Sequence, residues 1–555
     1  MPVATRIPAD LQKGLGKTNR ENTFHALAPF VMIKPKLLLP ALLIALATLS
    51  SKGEPAKYDA TWASLEKMNP VPEWFKDAKF GIYFHWGVYS VPAFSDEWYP
   101  SNMHKDGHAA NLHHIEKYGT PQEWPYHFFI NGAKDKEGNF VQFAPKLKSD
   151  GGKFDPDEWA DLFARSGAKF AGPVAEHHDG FSMWASKVNP WNAKDKGPGI
   201  DLVGVLVDAI RKRDMKIILS MHHAYHSCLR VQKDGRESQF YQFAPDTDDP
   251  ELQILYAKLP KERNEHIWLE KHKEIIDNYR PDIIWQDFNL DGVSEPVLLE
   301  FLAYYYNRAG EWGKEVVNTY KDGLNQKVGV LDYEKGGPVD LTDYYFLTDD
   351  AISLTSWCYT EGIGYYTPKQ VLHGFLDRIS KNGNLLLNIS PKADGSIPQE
   401  QKDILLTMGD WLGKYGEAVY NTRAWVKYGE GPTKMGAGHP HSTAAKFESP
   451  LEATAQDVRF MRSKDGKNLY AILMGWPGDN KSFCITSLAR GAFPVDGLAG
   501  VSLLGPEKGR YIPLEYRQDD DGLHCDLPAK PAEEPGYVIK LVFPDGIPDL
   551  KLKDQ

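Results

Sequence analysis

The 555-residue chain carries a net charge of −11 with 42% hydrophobic and 12% aromatic residues, so it exceeds one compact domain and has ample material for a large core. The acidic balance argues against a nucleic-acid role, because phosphate binding needs clustered Lys and Arg. Fifteen Trp favour carbohydrate, since indoles stack on the apolar faces of sugars, although core packing accounts for most of them.

Residues 1–31 show no targeting logic and read as an upstream extension, with Met32 as the expected start. Lys34 and Lys36 then precede an apolar run from Leu37 to Leu49, followed by small residues and polar Lys52 and Glu54. That order predicts a signal peptide over 32–56 and an exported, secreted or periplasmic protein. The run is shorter than the roughly 20 residues a membrane span requires, and Pro40 interrupts it, so no membrane span is expected. Cys228, Cys358, Cys484 and Cys525 lack metal-ligand spacing and are expected to be mostly buried free thiols.

From residue 57 to 422, strand-like apolar runs alternate with helical periodicity. The strands are expected at Phe80–Phe84, Phe170–Ala175, Lys216–Met221, Asp282–Gln286, Glu315–Tyr320 and Leu385–Ile389, with a weaker one around Tyr344–Leu347. Asp155-Pro156-Asp157-Glu158 and Thr367-Pro368-Lys369-Gln370 read as capping boxes that open helices. Repeated β–α order with strands this apolar predicts an α/β fold, a (β/α)8-type barrel forming the catalytic domain. A doubly wound nucleotide-binding sheet would want a Gly-rich strand-to-helix turn, which is missing. Over 423–555, short runs such as Leu469–Met474 and Val538–Phe543 alternate with turns such as Lys464-Asp465-Gly466 and Asp520-Asp521-Gly522. This predicts a C-terminal antiparallel β-sandwich domain.

Barrel enzymes carry their reacting groups where the strands end. Here the ends read His85-Trp86-Gly87, Glu176-His177-His178-Asp179-Gly180-Phe181, His222-His223 and Trp285-Gln286-Asp287. Each has a plain structural explanation, but four coinciding by chance is much less probable than any one. Adjacent His177 and His178 should point to opposite faces and so hold one ion poorly, and no His-x-His pair is present.

Phe80-Gly81-Ile82-Tyr83-Phe84-His85-Trp86-Gly87 with Glu97-Trp98-Tyr99, then His177-His178-Asp179-Gly180-Phe181, and Asn384-Leu385-Leu386-Leu387-Asn388-Ile389 resemble the signatures of the retaining α-L-fucosidases, glycoside hydrolase family 29. The resemblance implies an exo-acting retaining hydrolase of terminal α-L-fucosyl residues, with a covalent glycosyl-aspartate intermediate, no cofactor and no metal ion. Its partner would be a fucosylated oligosaccharide, polysaccharide or glycoprotein glycan. It implies Asp287 as nucleophile from the Trp-x-Asp spacing, with Asp282 and Asp291 as weaker competitors. Asp332-Tyr333-Glu334-Lys335-Gly336 resembles a segment that carries the acid/base, which implies Glu334, expected on a loop; Asp349, Asp350 and Glu361 stay as rivals. His85, Trp86, Glu97, Trp98, His177, His178, His222, His223, Trp285 and Trp357 are implied as sugar-binding. Glu176 stands where a basic residue often precedes the histidines, and Met221-His222-His223 replaces an aromatic-polar stretch. A hydrolase for another sugar such as an α-galactoside, an inactive carbohydrate-binding protein and a histidine-rich metallohydrolase remain competing readings. Nitrophenyl glycosides, any turnover, and activity in a strong chelator respectively discriminate them.

Overall fold

The structure, a computed structural model, describes residues 57–222, 246–435 and 452–550. The expected leader, His223 and Cys228 therefore lie outside the described residues. Eight parallel strands close into a barrel in sequence order: β1 (Phe80–Phe84), β2 (Phe170–Glu176), β3 (Lys216–Met221), β4 (Ile283–Gln286), β5 (Val317–Tyr320), β6 (Val330–Glu334), β7 (Phe346–Ala351) and β8 (Gly383–Ile389). The closing pair sets Phe80 opposite Leu385 and Phe84 opposite Ile389. The strands are apolar because both of their faces are covered. Inside, Phe170, Val174, Ile218, Ile283, Trp285, Val330, Leu347 and Leu386 fill the barrel, and outside, Phe84, Phe163, Leu206 and Phe375 belong to a larger cluster under the helices.

The principal covering helices are α1 (Pro156–Arg165), α2 (Leu202–Arg211), α3 (Lys261–Tyr279), α4 (Glu295–Glu311), α5 (Pro368–Ser380) and α6 (Gln399–Tyr415). Asp155 caps α1 through the Asp157 and Glu158 amides, whereas Glu158 turns outward to Lys148 and Lys402 rather than closing a reciprocal box. At α5 both halves of the Thr367–Gln370 box form. Among the described residues, the links from β5 to β6 and from β6 to β7 carry no helix. That gap explains why β6 was missed in the sequence. Flanked by loops rather than by periodic helices, Val330–Glu334 looks like part of one long connection. The weak expected strand at Tyr344–Leu347 also lies later, at Phe346–Ala351, because Asp349 and Asp350 hide its apolar character.

The C-terminal part forms two antiparallel sheets. The larger pairs β9 (Thr422–Glu430), β10 (Val458–Ser463), β11 (Asn468–Leu473), β17 (Tyr537–Val542), β13 (Gly500–Leu504) and β14 (Tyr511–Pro513) in that order; the smaller pairs β12 (Ser482–Ile485), β16 (Leu523–Asp526) and β15 (Tyr516–Gln518). Trp425, Phe460, Phe493 and Phe543 sit in the cluster between them. Both parts belong to one unit, Glu54–Gln555. Helix α5 is buried along its length from Val371 to Ser380, since the barrel covers one side and the sandwich the other. Arg459 of β10 donates to Asp377 at 2.8 Å, His373 Nε2 bonds the Pro535 carbonyl, and Trp411 donates to the Gly536 carbonyl. Cys358, Cys484 and Cys525 are free, and Cys358 and Cys525 are buried.

Candidate active site

Among the described residues, His85, His177, His178, His222 and Asp287, each just past a strand, gather at one mouth of the barrel. Asp287 follows β4 and is 6% exposed. One carboxylate oxygen lies 3.2 Å from His178 Nε2, and the other lies 3.3 Å from Lys321 Nζ. Lys321 follows β5, is buried, and also reaches Glu334 at 3.1 Å and Asp349 at 3.7 Å. Glu334 is the last residue of β6, two residues after Asp332, and so shares its inward face. One lysine thus bridges the two carboxylates.

The electrostatics separate the pair. Burial alone would raise the Asp287 pKa, but the Lys321 cation and the His178 hydrogen bond outweigh it and hold the carboxyl below its ordinary value. At Glu334 burial again raises the pKa. Lys321 opposes it, but the Asp349 and Asp287 charges add to the burial, and the net shift is upward. Burial disfavours the Lys321 cation, yet Asp349, Glu334 and Asp287 overcome that and keep it charged. The resting arrangement is an ionised Asp287 beside a carboxyl at Glu334 that holds its proton longer than usual, the separation that acid–nucleophile pairs need.

Around the pair stand imidazoles and aromatic rings. The His85 ring centroid lies 5.3 Å from that of His177 and 5.0 Å from that of His222, and His177 and His222 are 4.6 Å apart. Burial keeps all three neutral, taking His85 down to about 3 and the others well below their ordinary value. Each offers one ring nitrogen within 4.8 Å of the other two, so the trio has the donors to hold a metal ion. Trp357 flanks His85 at 5.5 Å, Trp285 flanks His222 at 4.9 Å, and Trp98 flanks His178 at 4.9 Å. Glu97 accepts from the Trp357 backbone at 3.0 Å, and burial, reinforced by Asp96, pushes its pKa up to about 8.

Several expectations change. Trp86 does not reach the pocket: its indole donates to the Lys392 carbonyl and packs on Phe143, Phe154 and Trp159 behind the strand. It points to the helix side because it follows His85 by one residue, and successive side chains leave opposite faces. His177 and His178 break that same alternation. They lie past the last residue of β2, where the register with β3 shifts, and their ring centroids are 4.7 Å apart on the pocket side. Gly180, at φ +76, completes the turn, and a Cβ there would meet the Leu255 carbonyl at 2.3 Å. Glu334 is on a strand rather than a loop. Asp349 and Asp350 lie inside β7, Asp350 held by Arg378, while Glu361 is exposed. Glu176 is turned to the helix side and ion-pairs with buried Lys271 of α3 at 2.7 Å, so it takes no place in the mouth.

Lys321 was missed by sequence reasoning. The rule that exposed the other residues, reading the position just after each apolar strand, would have found it behind Glu315–Tyr320. Arg378 of α5 was missed too, and nothing local marks it; it donates to the Lys335 and Gly336 carbonyls directly after Glu334.

The sequence profile of the alpha-L-fucosidase family matches residues 45–417. The tissue alpha-L-fucosidase of Rattus norvegicus is 32% identical over 398 residues, covering 69% of this chain and 77% of that protein. The human plasma alpha-L-fucosidase is 29% identical over 512 residues, covering 89% and 94%. Among solved structures, a Thermotoga maritima alpha-fucosidase in complex with fucose superposes with a TM-score of 0.66 at 26% identity, covering 88% of this chain and all of that one.

Proposed function

Because the chain belongs to the alpha-L-fucosidase family, glycoside hydrolase family 29, it is a glycoside hydrolase, and we propose that it removes terminal α-L-fucosyl residues from glycans with retention of configuration. Asp287 attacks the anomeric carbon as the glycosidic bond breaks, and Glu334 gives its proton to the departing oxygen. The result is a glycosyl-aspartate ester and an anionic Glu334. Water then loses a proton to Glu334 and attacks the same carbon, and Asp287 departs as a carboxylate. Esterification removes the Asp287 charge, which leaves Lys321 to Glu334 and favours the anion that the second step uses as base.

The observation that carries this reading is the buried lysine shared by two carboxylates with opposed pKa shifts. Its two contacts cap the distance between the bonded carboxylate oxygens at about 6.4 Å, which supports the retaining geometry of about 5–5.5 Å over the inverting one of about 6.5–9.5 Å. Neutral imidazoles, a Glu97 carboxyl that keeps its proton at neutral pH, and Trp285 and Trp357 supply hydrogen bonds and an apolar wall for a deoxy sugar with its methyl group. Its substrates would be fucosylated oligosaccharides, polysaccharides or glycoprotein glycans, met outside the cell after removal of segment 32–56.

The test is hydrolysis of a nitrophenyl α-L-fucoside, followed by proton NMR of the first-formed fucose and compared with the α-galactoside. Asp287→Gly should lose at least about a thousandfold in kcat, roughly 4 kcal/mol. Inversion of the anomer, preference for the galactoside, or a tenth of normal activity in the variant would each defeat the assignment.

A further inference from the structure

The trio His85, His177 and His222 is more than a set of polar groups lining a sugar pocket. Three consecutive strands, β1 to β3, each contribute the residue at or just past their end, and all three side chains are at least nine-tenths buried. The tautomer of His85 is fixed by a chain of hydrogen bonds. Asn388 Nδ2 donates to the Trp357 carbonyl at 2.7 Å, so its Oδ1 accepts from the His85 amide and from His85 Nδ1, at 2.9 and 2.7 Å. With the proton on Nδ1, the lone pair is left on Nε2. Metal-binding histidines are oriented by this kind of outer hydrogen bond. His222 Nδ1 lies 3.2 Å from Ser220 Oγ. His177 Nδ1 is buried with no hydrogen-bond partner, and such an orphaned nitrogen in a polar cluster points to a ligand.

We propose that His85, His177 and His222 form a binding site for one borderline divalent cation, Zn²⁺ above all, which occupies the mouth of the barrel in competition with the sugar. Three neutral nitrogens with no carboxylate among them suit Zn²⁺, Co²⁺, Ni²⁺ or Cu²⁺ and not Mg²⁺ or Ca²⁺, which require oxygen ligands. The nitrogens lie within 4.8 Å of one another, whereas tetrahedral bonds of about 2.0–2.1 Å place them about 3.4 Å apart. The rings must therefore draw in by about 1 Å on binding, a side-chain rotation rather than a backbone change. Three ligands leave the fourth position open to water. The ion is an inhibitor here and not a cofactor, because Asp287 and Glu334 already supply the nucleophile and the proton. It forms no part of the hydrolytic cycle; the ion site rests on the three imidazoles alone, and its competition with the sugar rests on the proposed function.

The experiment titrates the whole chain with Co²⁺, following the visible d–d bands, and with Zn²⁺ by calorimetry, so the primary readout is independent of turnover. One ion per chain is expected. His222→Phe should abolish the four-coordinate spectrum, and Asn388→Ala, which frees the His85 ring, should weaken binding by about 10–100-fold. Circular dichroism checks that each variant is folded, and should His222→Phe fail to fold, Asn388→Ala carries the test. Zn²⁺ should inhibit competitively with the aryl glycoside, with an inhibition constant equal to the calorimetric Kd. No binding by the parent chain, or binding unchanged in a folded His222→Phe, overturns the site. Inhibition that is not competitive overturns its location in the sugar pocket.

Discussion

Replacing Lys321 by Met removes the charge at the centre of the proposed site while keeping most of the side-chain volume. Its amine lies 3.3 Å from Asp287 and 3.1 Å from Glu334. At an effective dielectric of about 20, each such pair interacts by about 5 kcal/mol. Removing one partner of a buried ion pair costs about 3–5 kcal/mol in practice. Asp287 should therefore titrate at higher pH in the variant, tempered by the His178 hydrogen bond that remains. Its pKa then moves up, since the largest influence opposing burial is gone and only the His178 and Phe288 contacts remain. Glu334, already raised, climbs further for the same reason. The assay is kcat/KM against pH on an aryl α-L-fucoside, whose two limbs report the free-enzyme nucleophile and acid. Both limbs should move to higher pH. At pH 5 the loss should be about 10–100-fold, and it should shrink as the pH approaches 8. A thermal melt separates this from unfolding. If the profile kept its position while activity fell equally at every pH, or if it moved to lower pH, Lys321 would not be the charge that sets the pair.

Three further expectations concern other residues. Glu334→Ala should slow substrates with a sugar leaving group far more than those with nitrophenol, and azide should restore turnover on the latter; equal losses with no rescue would move the acid role to Asp349. Trp86→Ala should lower stability by about 3–5 kcal/mol, measured by denaturant unfolding, because the ring is buried among Phe143, Phe154 and Trp159. Trp98→Ala, by contrast, should raise KM with little change in the unfolding midpoint, and the reverse pattern would return Trp86 to the pocket.

The barrel was legible because most of its strands are apolar runs long enough to stand out, and the sandwich because its turns are marked by Asp-Gly pairs. Val330–Glu334 was not, since Asp332 and Glu334 break its apolar run and no helix sets it off on either side. At the site, Asp287 and the histidines could be read from strand ends, but their convergence could not. His85, His177 and His222 are separated by 92 and 45 positions, and only closure of the barrel puts them side by side. Spacing set Asp282 aside as the reacting carboxylate, and it stands at the opposite end of β4, where it accepts from the Ile217 amide. The inward and outward alternation of a strand misled at His177-His178, where the chain has already left the sheet. The buried partner of Glu176 was invisible for a different reason: Lys271 lies on the third covering helix, and its spacing carries no motif.

The sandwich does not merely trail behind the barrel. Its Arg459 grips Asp377, one residue before the Arg378 whose guanidinium holds the two carbonyls just past Glu334. Three links therefore connect a strand of the rear sheet to Glu334 at the front, all through a helix sealed on both sides. The sheet works as a back-plate, fixing the position of the backbone just past Glu334, the residue proposed to give the proton. A shortened chain ending near residue 422 would lose that reference even if the barrel still closed. Someone engineering this protein for a different glycan should accordingly treat the far face as part of the tool, and place fusions or surface attachments away from the seam between sheet and helix.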